Sequence, residues 1–167
     1  QMIKPGFDRI LPAEEVKQAE EKEEKKPQKI RARIRFDYRG KARPAKFLFG
    51  GKRTEEAAEE LRDKQAALWR NVPMQGIFIE RIDLGEIYTV YDEDLEDEVA
   101  YAPLELDVTA DALAYLVRFA VREEFRRLLI LEPPAVKLSL QEMEQLFFEI
   151  HTQANNQLVQ KVKRLAE

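Results

Sequence analysis

Side chains able to do chemistry are scarce in this sequence. Its 167 residues hold no cysteine, one histidine (His151) and one serine (Ser139). Without cysteine there are no disulfides, thiolate nucleophiles, iron–sulfur clusters or thiolate zinc sites. One serine and one histidine cannot supply a multi-histidine metal site within one chain, and Ser139 is already committed elsewhere. Ser139-Leu140-Gln141-Glu142 reads as a capping box, with Leu138 and Met143 placed as its hydrophobic staple. His151 follows Ile150 at the edge of a helical apolar stripe, where a hydrogen-bonded structural histidine is the ordinary outcome. The 32 acidic residues give many chance carboxylate pairs, and spacing singles out none of them. No catalytic residue, metal or cofactor is assigned.

Charge patterning is the more informative signal. Residues 29–53 carry ten Lys/Arg and one acid, Asp37, whereas residues 80–111 carry twelve acids and one base, Arg81. The net charge of −4 hides these two opposed fields. Arg31, Arg33 and Arg35 alternate with apolar residues, so they share one strand face about 7 Å apart, close to a phosphate repeat. With Arg39, Lys41 and Arg43 they form a candidate nucleic-acid surface, and Tyr38, Phe47 and Phe49 offer stacking rings nearby. The competing expectation is that the arginine face pairs with the acidic segment, within the fold or across a dimer. The acidic sequence pI, about 5.4, favours this second reading.

Two loops invite ligand readings and fail them. Gly50-Gly51-Lys52-Arg53 precedes Thr54 at a helix start and is a weak anion-binding candidate. A Walker loop would need glycine where Lys46 stands and Ser or Thr where Arg53 stands. Counted from Asp92 as an EF-hand loop, the sixth and twelfth positions are Asp97 and Pro103, not the required glycine and bidentate acid. A solvated acidic loop is expected over 92–98.

The elements that must position these residues follow from periodicity. Residues 1–28 read as an irregular arm and a charged helical extension, and 29–167 as a single domain. Residues 29–38 alternate with period two, and with a second strand at 46–49 they suggest a β-hairpin. A helix is expected from Thr54, as its cap, to Arg70, burying Ala57, Ala58, Leu61, Leu68 and Trp69. Residues 76–83 read as a well-buried strand and 87–91 as another. Residues 99–108 read as a strand at an edge or bulge, because of Pro103. A helix is expected to start at Thr109, followed by a central strand at 128–131. A last helix runs from Ser139 to about Ala166, striped with Met143, Leu146, Phe147, Ile150, Ala154, Leu158, Val162 and Leu165.

Together these predict an α+β fold: a mixed sheet of five to six strands, an N-terminal hairpin and three packing helices. The expected function is a non-catalytic structural or protein-interaction module in the cytoplasm. It would self-associate as a homodimer through Leu158, Val162 and Leu165, or bind another protein partner, with no membrane association. Nucleic-acid binding is the alternative, and a carboxylate-based enzyme the third.

Overall fold

The computed structural model describes residues 28–41 and 53–166. Within them the order is β1 (Ile30–Arg39), α1 (Thr54–Asn71), β2 (Ile77–Leu84), β3 (Tyr88–Asp92) and β4 (Asp97–Ala110). A 3-10 turn (Leu113–Leu116) then runs into a short α2 (Val117–Ala120), followed by β5 (Phe125–Glu132) and α3 (Leu140–Ala166). The fold is α+β, with the sheet in the order β2-β4-β1-β5 and β3 beside β4. The expected extension, Arg43, and the strand at 46–49 lie outside the described residues.

Every strand pair is antiparallel, a correction to the mixed sheet. The physical reason is interleaving. The connection from β1 through α1 does return to a strand of the same direction, β2, but β4 is inserted between them. The connection from β4 through α2 to β5 likewise steps over β1. Two interlocked β-α-β units of this kind form a split β-α-β arrangement.

Interleaving also decides which strands are inside. β4 is the central and longest strand, flanked by β1 on one edge and by β2 and β3 on the other. Pro103 therefore sits mid-sheet rather than at an edge. Its carbonyl accepts from Gly85 N–H at 3.0 Å, which turns its ring nitrogen to the gap between β2 and β3, where no strand partner is lost. Residues 76–83 and 128–131, expected to be inner strands, are the two edges, and Leu129, Ile130 and Leu131 remain substantially exposed. Thr109 does not start a helix, because β4 continues through Ala110 to pair with both Ile30 and Ile77.

One face of the sheet is the core. Ile30, Ala32, Ile34, Phe36 and Tyr38 of β1 are buried beside Ala102, Leu104, Leu106, Val108 and Ala110 of β4. Phe36 is the hub, with ring centroids 5.0 Å from Trp69, 6.2 Å from Phe119 and 6.4 Å from Phe125. α1 covers this face through Ala58, Arg62, Ala66 and Trp69, whereas the expected Leu61 and Leu68 face outward. The alanines let the helix lie close, and Arg62 Nη1 donates to Gly85 O at 2.7 Å. Thr54 is the first helical residue, with Arg53 at the N-cap. Its hydroxyl donates to Gly40 O at 3.1 Å and accepts from Ala100 N–H at 2.8 Å, tying α1 to β1 and β4. That closeness explains Gly40, since any Cβ there would collide with the Thr54 carbonyl and Ala58 nitrogen.

Candidate functional site

The second sheet face carries the charges. Pleating turns Arg31, Arg33, Arg35, Asp37 and Arg39 away from the core, and each arginine meets an acid. Arg33 grips Asp107 on β4 with two bonds, Nε to Oδ1 at 2.7 Å and Nη2 to Oδ2 at 3.1 Å. Arg81 of β2 reaches the same carboxylate at 3.1 Å. The Arg33 hydrogen bonds hold the Asp107 carboxyl below its ordinary value, against the opposing effect of burial. Arg31 lies between Glu80 at 3.4 Å and Glu132 at 3.3 Å, so it bridges β2 and β5 across the width of the sheet. Glu80 occupies a register shift in β2 and also accepts from the Thr109 hydroxyl at 2.6 Å.

Asp37 anchors a denser cluster. Its carboxylate receives Arg35 Nε at 2.9 Å, the Tyr88 hydroxyl at 2.6 Å and Arg126 Nε at 3.4 Å. Arg126 in turn stacks over Tyr101, itself 5.4 Å from the Tyr88 ring. Burial and the hydrogen bond to Asp37 push the Tyr88 phenol up. Arg39 pairs with Asp92 at 2.9 Å, and Asp92 also accepts from the Asp94 and Leu95 N–H groups, so it orders the acidic turn. The basic strand and the acidic 80–111 segment do meet, through Arg31–Glu80, Arg33–Asp107 and Arg39–Asp92.

Of the other sequence-derived candidates, Arg53 is exposed at the α1 N-cap, and Gly50, Gly51 and Lys52 lie outside the described residues. Arg39 and Lys41 border a cleft of about 800 Å³ beyond the start of β5, which Tyr38, Leu61, Glu124, Arg126 and Arg164 also line. Burial pushes the Tyr38 phenol up. Cations and anions are mixed around this cleft, so it presents no field of one sign. Among the described residues no group of three His, Asp or Glu is placed to hold a metal ion. No helix among them is long and apolar enough to cross a membrane.

α3 is unlike the rest of the molecule. Ser139 caps it, its Oγ accepting from Glu142 N–H at 3.1 Å, and it runs 27 residues with no buried residue. Its main contacts are with the 113–120 segment. Of the half-buried side chains, Leu146, Glu149, Gln153 and Gln157 fall on one line, with Thr152 beside it, and this side is mostly polar. Phe147, Leu158, Val162 and Leu165, by contrast, are 71%, 60%, 57% and 80% exposed. At 3.6 residues per turn this apolar stripe lies about 135° round the helix from the side that meets the domain. Arg62, the Asp37 cluster and this misaligned docking are what sequence reasoning missed, and only the alternation around Asp37 hinted at any of them. No protein-family model, curated protein or solved structure matches the chain.

Proposed function

We propose that the protein is a non-catalytic interaction module that self-associates through α3. The observation that carries this is the stripe of Phe147, Leu158, Val162 and Leu165, aimed away from the helix's own domain. A solvated helix gains nothing from large apolar residues at three-and-four spacing, and each one buried in an interface is worth about 1.5–3 kcal/mol. The arginine face supports the same reading against the nucleic-acid alternative. Arg31, Arg33, Arg35 and Arg39 are engaged by carboxylates that a phosphate would have to displace. Asp37, the most enclosed acid of the cleft, is held by two arginines and a tyrosine, which disfavours the carboxylate-enzyme reading.

The test is light scattering behind a sizing column at 50 and 500 mM salt, with and without a mixed single-stranded oligonucleotide pool. A salt-tolerant dimer, twice 19.6 kDa, that ignores the oligonucleotides is expected. Leu158→Glu with Val162→Glu should return it to monomer. A wild-type monomer at high micromolar concentration overturns the proposal, and a larger complex with oligonucleotide at low salt only moves the function to nucleic acid.

A further inference from the structure

The same helix carries information about how its partner lies. We infer that two copies of α3 pair antiparallel about a twofold axis at Ala154, an arrangement that rests on the self-association proposed above. Charge is the first argument. Residues 140–154 contain Glu142, Glu144 and Glu149 and no Lys or Arg, while 155–166 contain Lys161, Lys163 and Arg164 and no acid. A parallel pair stacks like charge on like along some 40 Å of helix, whereas an antiparallel pair sets each acidic half beside a basic one. The helix dipoles favour the same orientation.

The second argument is the symmetry of the stripe. A twofold axis at Ala154 brings together residues equally far before and after it. Ile150 and Leu158 stand four residues to either side, and Met143 and Leu165 eleven. All are exposed, with Met143 and Ile150 the least so. Spacings of eleven residues are close to three helical turns, drifting about 20° each, so Met143, Ala154 and Leu165 stay on one face of the helix. The smallest apolar side chain of the stripe, Ala154, then falls at the crossing, where two backbones approach to within 8–10 Å. Phe147 is matched by Lys161, whose alkyl stem covers the ring while its ammonium reaches the acidic half. The partner is a second copy because α3 is complementary to itself in both charge and stripe when reversed.

The absence of cysteine makes the test direct. Met143→Cys and Leu165→Cys are prepared separately, oxidised alone and as a mixture, and run on non-reducing gels. In the antiparallel pair the mixture gives a disulfide-linked heterodimer. Each variant alone stays unlinked, since its two copies are about 33 Å apart along the helix and a disulfide spans under about 7 Å. Self-linking of either variant alone, or an unlinked mixture from a chain that light scattering shows to be dimeric, overturns this arrangement and leaves the dimer standing. A monomeric wild type removes both. A second, independent readout uses Glu142 and Glu144→Lys, which should raise the dimer Kd about tenfold at 50 mM salt. Adding Lys163 and Arg164→Glu should restore it, and failure of that rescue also overturns the antiparallel order.

Discussion

β1 and α3 are both amphipathic, and the chain treats them in opposite ways. Every core-facing side chain of β1 is almost fully buried, and its polar face is closed by carboxylates from β2, β3 and β4 and from β1 itself. α3 has the longer apolar stripe and buries none of it. Composition does not explain the contrast, because both elements have enough apolar residues to bury. Position does: β1 has strands on both edges and α1 on one face, while among the described residues α3 packs mainly on the 113–120 segment, through a mostly polar line. An element with its surroundings inside the chain is finished by folding. One that lacks them keeps an apolar face open, which is the basis of the self-association proposed for α3.

This contrast can be broken or sharpened by substitution. Phe36→Ala should cost about 3–5 kcal/mol in urea unfolding, since it empties the centre of the aromatic cluster. A cost under about 1 kcal/mol would mean that β1 is not the finished element it looks to be. Arg62→Met should cost about 1–3 kcal/mol, because it strips the Gly85 carbonyl of a donor under α1. Ser139→Ala should cost about 1 kcal/mol through loss of the α3 cap, measured as helix content and melting temperature.

Asp107→Asn has an effect that depends on pH. The Arg33 pair holds the native carboxyl below its unfolded value of about 3.9, so its stabilisation is complete above that pH. It fades as pH falls through the lower native value. The gap between wild type and Asp107→Asn should therefore be constant from pH 7 to 5 and shrink below about pH 4, and a gap that widens in acid would contradict the assignment. The smallest effect on the fold belongs to the most exposed positions. Leu158→Glu with Val162→Glu should change the unfolding free energy of the dilute monomer by no more than about 0.5 kcal/mol while abolishing the dimer.

Much of this was legible along the chain. The alternation of β1, the capping box at Ser139, the limits of α1 and α3, and the two charge fields are local patterns with local causes. α1 shows where legibility ends. Ala57, Leu61 and Leu68 form one possible stripe, and Ala58, Arg62, Ala66 and Trp69 another. Hydrophobicity prefers the first, yet the second is buried, because Arg62 finds carbonyls to satisfy it and the alanines allow close approach. Pro103 misled in the same way: its missing N–H matters only where a neighbouring strand would have used it, and β2 and β3 leave that place open.

By itself the sequence determined the strand and helix periods, the segregation of charge and the lack of parts for cysteine or multi-histidine chemistry, because these depend on composition and on neighbours a few residues apart. Only the tertiary structure decided which strands lie inside, which acid answers each arginine, and that α3 turns a polar line to its own domain. Those outcomes depend on groups far apart in the chain being brought to within a few ångströms, and no local pattern encodes that distance.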